Sequence, residues 1–249
     1  MAEYQSKWQT NELAVAFLQG VRGAIPAAGL QLELIDYIVR SWLPHPRCIL
    51  DLGCGDGTLG RFLLDRYPDA QVIFADFSDP MLEAAQKQIE NRVRASIIKV
   101  DFSSPSWMDS IGFLESIDVV VSGFAIHHQP DWRKKELYSE IYTLLGDGGV
   151  FLNLEHVASS TPAGEDLFDN YFVDHLYAFH RANDPSKSRE EIAHEHYNRP
   201  DNAENILAPV QDQCAWLREI GFADVDCFFK VFELALFGGR KPARVKPRD

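Results

Sequence analysis

An α/β fold on a seven-stranded, mostly parallel sheet with an antiparallel last strand is predicted by three features of this 249-residue chain. Short apolar runs alternate with segments of helical spacing, the pattern of repeated βα units. Three successive runs close on an aspartate, at Asp51, Asp76 and Asp101. The last two apolar runs, 225–230 and 232–237, are separated by so short a break that only an antiparallel hairpin can join them. A composition of 46% hydrophobic and 24% charged residues places the chain among ordinary globular proteins, with length for one sizeable domain and an elaboration.

The elements follow in order. Residues 1–10 are polar and expected to be loose. Over 11–43 the apolar spacing is helical in two pieces, Leu13, Phe17 and Leu18 in one and Leu30, Leu34, Ile38 and Trp42 in the other. Pro26 and Gly29 divide them, and Pro44-His45-Pro46 stops the second. The first strand runs through Ile49-Leu50-Asp51-Leu52 into the glycine-dense turn Gly53-Cys54-Gly55-Asp56-Gly57. A helix over 59–67, ended by Pro68, leads to the second strand, 71–76. Ser78-Asp79-Pro80 caps the next helix, which carries Met81, Leu82, Ala85 and Ile89 on one face. The third strand is expected over 96–102 and the fourth over 118–122, the latter followed by the pair His127-His128. A helix over 134–145, broken by Gly146-Asp147-Gly148-Gly149, precedes the fifth strand, 150–154, which delivers Glu155 and His156 to the same edge.

Residues 159–206 leave this alternation and are expected to form a lid or insertion of two helices, 164–181 and 188–198. Phe168, Phe172, His175 and Phe179 share one helix face there, with packing as the expected role and a substrate-facing wall as the sharper alternative. A final helix over 209–221 introduces the closing strand pair. The organisation is therefore a helical cap over 1–45, a ligand-binding domain over 46–158 and 207–240, the insertion over 159–206, and a flexible basic tail over 241–249.

A net charge of −13 repels phosphate backbones, which disfavours nucleic acid and favours a small-molecule substrate. No apolar run approaches the roughly 20 residues that span a membrane, and no signal peptide is visible, so a cytoplasmic protein is expected. Cys48, Cys54, Cys214 and Cys227 lack a C-x-x-C spacing and are expected as reduced thiols. Any self-association is expected to be a homodimer.

The chemistry concentrates at the glycine turn. Glycines permit positive φ and bare main chain against a ligand, and the helix behind them offers unpaired N–H groups. Gly55-Asp56-Gly57-Thr58-Leu59-Gly60 matches G-x-G-x-x-G, a dinucleotide fingerprint, and a nicotinamide oxidoreductase stays open on that ground. Asp51 and Asp56 bracket the turn, however, and two carboxylates suit a ligand with a cationic end, an α-amino group or a sulfonium. An acidic group about twenty residues past the glycines, here Asp76, accepts ribose hydroxyls. Asp101 with Phe102 can accept the exocyclic amine of adenine.

The form apolar-apolar-Asp-apolar-Gly-x-Gly-x-Gly resembles motif I of class I S-adenosylmethionine-dependent methyltransferases, a Rossmann-like family. The resemblance covers about 48–155 closely and 207–240 more loosely. It implies S-adenosyl-L-methionine as cofactor, contacted by Asp51, Gly53, Gly55, Asp76, Phe77, Met81, Asp101, Phe102 and Ser122, and methyl transfer by in-line attack on the sulfonium methyl. A nucleophile that must lose a proton needs a base, and His127, His128 and Glu155 are the candidates to act as base or to orient substrate. Cys54 is expected to fit the turn and not to act as a nucleophile.

Within that superfamily the chain is most similar to the branch around carboxy-S-adenosylmethionine synthase, through Leu167-Phe168, Arg181-Ala182-Asn183, Glu191-Ile192 and Gly221-Phe222. There an arginine ahead of the last helix holds an extra cofactor carboxylate, and Arg199 is the nearest match. Ser122 stands where that branch has asparagine, and Ala28 near its cofactor-contacting tyrosine. Phe172 and Arg199 are the expected substrate residues. Transfer to a small molecule is the leading expectation, with modification of the cofactor itself or non-catalytic cofactor binding as alternatives. Histidines at and within the insertion, including His194 and His196 near Glu191, lack a zinc spacing, so no metal is expected.

Overall fold

The computed structural model describes residues 22–111, 116–183, 186–199 and 201–243. The helical piece around Leu13, Phe17 and Leu18, and residues 244–249 of the tail, lie outside these.

The strands are β1 (Cys48–Leu52), β2 (Gln71–Asp76), β3 (Ala95–Lys99), β4 (Ile117–Gly123), β5 (Leu145–His156), β6 (Ala223–Val231) and β7 (Leu234–Arg240), and they form one sheet in the order β3-β2-β1-β4-β5-β7-β6. The first five run parallel. β7 lies antiparallel to both β5 and β6. The longer helices among the described residues are α1 (Ala28–Trp42), α2 (Thr58–Arg66), α3 (Asp79–Ile89), α4 (Asp131–Leu144), α5 (Pro162–Asn183), α6 (Arg189–Tyr197) and α7 (Val210–Ile220).

The inner parallel strands β1, β2, β4 and β5 are buried on both faces, which is why they carry continuous apolar runs, while the edge strand β3 is half-buried. On one face Ile35 and Val39 of α1, Leu59 and Leu63 of α2 and Leu82 of α3 pack on Ile49, Val72, Phe74 and Val121. On the other, Leu137 and Ile141 of α4 and Leu217 of α7 pack on Leu50, Ile73, Val120 and Phe151. The sheet order reverses between β1 and β4, so their C-terminal ends open a crevice where ligands of such sheets bind. A third cluster, Phe168, Phe172 and Leu176 of α5 with Ile192 of α6, closes on Ala24, Ile25 and Leu234 beside that edge.

Several local expectations are corrected. β3 stops at Lys99, so Asp101 lies beyond the strand, exposed in a turn where its Oδ1 accepts the Ser103 N–H at 2.9 Å. Ser78 holds the N-cap position of α3, but its hydroxyl makes no capping bond. The glycines after α4 are not a helix break: Leu145 ends the helix and begins β5 directly, with a register shift in the β4 pairing across them. β7 begins at Leu234, because Phe232 takes a left-handed φ of 49° in the turn after β6. Among the described residues, no helix is long and apolar enough to cross a membrane.

α2 approaches β2 so closely that a Cβ on Gly60 would stand 2.4 Å from Phe74 Cε1 and 2.9 Å from Asp51 Oδ2. Neither neighbour can retreat from a fully packed core. Gly60→Ala should therefore destabilise the fold by about 2 kcal/mol through overpacking. Urea denaturation checks this; an unchanged midpoint would refute the tight approach.

Candidate functional site

Gly53, Gly55 and Gly57 all take left-handed φ, at 69°, 55° and 79°, as the turn leaves β1. The N–H groups of Gly53 and Cys54 both donate to the Ala75 carbonyl, at 2.7 and 3.0 Å, tying the turn to β2. A Cβ at Gly53 would lie 2.3 Å from Ala125 Cβ, whereas one at Gly55 would meet nothing within 4 Å. The first glycine thus serves packing, and the second presents bare main chain to open space. That cradle fits a ligand laid against the turn, which is the fit S-adenosylmethionine requires.

The aspartates divide their work. Asp51 is buried, and its Oδ2 accepts the Gly60 N–H at 2.7 Å, fixing α2 to β1. Asp56 caps α2, its Oδ1 accepting the Thr58 N–H at 3.1 Å while Arg61 pairs with it at 3.6 Å. Asp76 ends β2 with Oδ2 accepting the Gly55 N–H at 2.9 Å and Oδ1 accepting the Ser78 N–H at 2.9 Å. Burial pushes the Asp76 carboxyl up, and these backbone donors oppose that shift. Phe77 is half-buried beside it, and Met81 and Phe102 are buried. Ser122 is spent on structure, its hydroxyl donating to the Leu52 carbonyl at 2.7 Å. Cys54 is buried, and burial then Asp51 raise its thiol well above the ordinary range, so it is no nucleophile.

The segment carrying Asp101 and Phe102 is clamped from below. Arg133, 1% exposed, donates from Nε to the Phe102 carbonyl at 2.9 Å and grips Glu140 with both terminal nitrogens at 2.8 and 2.7 Å. Trp107 Nε1 donates to the same Glu140 at 2.7 Å. Nothing in the spacing of Arg133 and Glu140 points to the Phe102 carbonyl, so this clamp was invisible in sequence.

Ala125, in contact with the glycine turn, leads into a single helical turn, Ile126–His128. Phe124, just before it, holds a left-handed φ of 53°, a backbone strain of about 1–3 kcal/mol for a residue with a side chain. Glu155, fully buried near the end of β5, organises this turn. Its Oε1 accepts the N–H groups of Ile126 and His127 at 2.7 and 3.1 Å, and its Oε2 meets His127 Nδ1 at 2.6 Å. Burial pushes the Glu155 carboxyl up to about 7, and burial holds the His127 imidazole well below its ordinary value. With a carboxylate at Nδ1, that nitrogen carries the proton, and the Asn205 side chain hydrogen-bonds the ring as well. His128 stacks on His127 with ring centres 4.0 Å apart and donates from Nδ1 to the Glu204 carbonyl at 3.1 Å.

His127 and His128 line a cavity of about 350 Å³ between the sheet edge and α5 and α6. Phe172 and Arg199 line it too, so four sequence-selected residues meet there, while Glu155 stands behind His127 and off the wall. Arg199 Nε lies 3.5 Å from Asp201 Oδ1. Sequence reasoning missed Glu233, Asp169, Asp201 and Phe124, which complete the wall. Glu233 sits in the β6–β7 turn and binds His156 Nε2 at 2.7 Å. Glu191 closes a capping box on Ser188, a signal legible as Ser-x-x-Glu.

A family model described as a methyltransferase domain matches residues 49–149. The carboxy-S-adenosyl-L-methionine synthase of Campylobacter lari is 26% identical over 92% of this chain and 91% of its own length. Among solved structures, an O-methyltransferase family protein from Burkholderia thailandensis superposes with a TM-score of 0.62 at 17% identity, over 93% of this chain and 59% of its own. A protein of Methanococcus maripaludis assigned to the S-adenosyl-L-methionine-dependent methyltransferases superposes at 0.60 with 19% identity, over 98% and 99% of the two chains. At such identities the two structures speak for the fold alone.

Asp76 fixes Gly55 and Ser78 through its two carboxylate oxygens at the end of β2. Asp76→Ala should weaken S-adenosylhomocysteine binding by about 2 kcal/mol, the scale of a charge-assisted hydrogen bond. Calorimetry on a folded variant with unchanged affinity would remove Asp76 from the site.

Proposed function

We propose that this chain, which carries a class I S-adenosylmethionine-dependent methyltransferase domain and fold, methylates a small molecule held in the cavity beneath α5 and α6, in the cytoplasm. The observation that carries the proposal is His127 on the wall of that cavity with Glu155 buried behind it at 2.6 Å. Gly53, Gly55 and Asp76 would hold the cofactor, with Phe77 and Met81 flanking it and Asp101 and Phe102 at its base. When bound, S-adenosylmethionine supplies a methyl group on a sulfonium, an electrophile that already has a good leaving group. His127 Nε2 is the group placed to take a proton from an acceptor O–H or N–H. Glu155 acts through it, fixing the tautomer and offsetting the charge of the imidazolium. A cavity of about 350 Å³ suits a small acceptor, and α5 with α6 would keep water from it.

A second reading is supported by the similarity to carboxy-S-adenosylmethionine synthase over most of the chain and by Arg199 on the cavity wall. An added cofactor carboxylate would need a bidentate cation in a dry site. Arg199 already has Asp201 beside it, which offsets the charge such a carboxylate would need. Transfer of a plain methyl group is therefore the preferred function.

The pair sets the pH dependence. Proton abstraction needs neutral His127 beside ionised Glu155, and Glu155 titrates at about 7, so activity should rise as pH increases through that value. Radiolabelled methyl transfer to a small-molecule extract measures it. Glu155→Gln should flatten that limb and lower the rate about 100-fold, the scale of general-base catalysis, without altering S-adenosylhomocysteine affinity. Full activity in His127→Ala across the pH range would contradict the assignment.

A further inference from the structure

The charge on the cavity wall is one-sided. Glu165, Asp169, Asp201 and Glu233 contribute carboxylates, and Arg199 is the cation among the lining residues. Burial lowers His128 and His196 each to about 4 and His127 well below its ordinary value, while His156, the remaining lining histidine, is bound to Glu233 at 2.7 Å. Asp169 is raised by burial and then by the nearby Glu233 and Glu165, which places these three carboxylates within reach of one another.

Two independent features point to a bound group. Asp201, with a side chain 6% exposed, has its Oδ1 at 3.5 Å from Arg199 Nε, and neither atom has a hydrogen-bond partner among the described residues. His196 Nδ1 is likewise buried without one. Buried polar atoms without partners are rare, and a carboxylate oxygen of this kind calls for a donor. Phe168 and Phe172 stand on the same α5 face as Glu165 and Asp169 and pack with centroids 5.6 Å apart, with His156 5.3 Å from Phe168 and His196 5.2 Å from Phe172. Aromatic faces beside carboxylates make a setting for an organic cation.

We propose that the acceptor is a small molecule bearing a protonated amine, received between the carboxylates of Glu165, Asp169 and Glu233 and the rings of Phe168 and Phe172. This rests on the reading that the cavity takes the methyl acceptor. The ammonium adds positive charge where, among the lining residues, Glu165, Asp169, Asp201 and Glu233 face Arg199 and the Glu233-bound His156, and its N–H groups are donors for a carboxylate oxygen such as Asp201 Oδ1. Acceptors bearing a carboxylate or a phosphate meet repulsion from the same groups.

The experiment uses tyramine, 4-ethylphenol and 4-hydroxyphenylacetate, probes of similar shape that are cationic, neutral and anionic. Binding to the full chain is measured by calorimetry with and without S-adenosylhomocysteine. Tyramine should bind at least about tenfold more tightly than the neutral probe, the scale of one charge-assisted hydrogen bond, and the anionic probe weakest. Asp169→Asn and the surface-exposed Glu165→Gln should each erode that preference while leaving S-adenosylhomocysteine affinity intact. Binding of tyramine by a protein that ignores S-adenosylhomocysteine would uphold the inference and overturn the proposed function. Binding of S-adenosylhomocysteine with no preference for the amine, with no probe bound at millimolar concentration, or with a preference unchanged in both variants, would overturn the inference alone.

Discussion

The site depends on the contact between Gly53 and Ala125. One belongs to the turn after β1, the other to the exit of β4, and the would-be Cβ separation of 2.3 Å leaves no room for a side chain. Through it the glycine cradle and the His127 turn become one rigid piece at the point where the sheet order reverses. The same approach accounts for the strain at Phe124, whose left-handed backbone sends the chain sharply off the end of β4. The Phe124 N–H stays bonded to the Leu154 carbonyl at 2.8 Å, so the sheet itself holds the strained residue in place. Strain of this kind persists only where its surroundings over-determine it.

Burial then decides the chemistry. Glu155 in water would be a spent carboxylate and His127 a half-charged imidazole. Enclosed together, burial raises the acid to about 7 and lowers the base well below its ordinary value. The backbone N–H groups of Ile126 and His127 keep the carboxylate aimed, so the geometry does not depend on its protonation state. Asp76 follows the same logic on the cofactor side, where backbone donors offset the burial of a charge. A polar site inside an apolar sheet is tolerated because nearly every buried oxygen has a donor. Among the described residues the side-chain oxygens without one are Asn153 Oδ1 within β5 and Asp201 Oδ1 beside Arg199.

Local pattern carried the sequence reading as far as local structure goes. The succession of strands along the chain, the glycine turn and Asp76 at the end of β2 were legible because each is written in a few consecutive residues. His127 and Glu155 were legible as neighbours along one sheet edge, but their hydrogen bond joins residues far apart in sequence and depends on burial, which no spacing encodes. Asp101 was placed at a strand end that stops two residues earlier, since an apolar run shows composition and not where pairing ceases. Glu233 was hidden within an expected strand because the turn at Phe232 uses a left-handed residue that is not glycine. Ser122 looked available to a ligand, yet its hydroxyl is consumed by the Leu52 carbonyl. The aromatic stripe of α5 was visible as a helix face; that it also walls a cavity follows only from what it packs against.

The central claim is that the glycine cradle holds plain S-adenosylmethionine beside an acidic acceptor cavity. Mass spectrometry of the small molecule released from freshly purified protein tests it most directly. The account predicts S-adenosylmethionine or S-adenosylhomocysteine, retained equally by Arg199→Ala. A cofactor heavier by one CO₂ unit that disappears in Arg199→Ala, or a nicotinamide dinucleotide in its place, would contradict it.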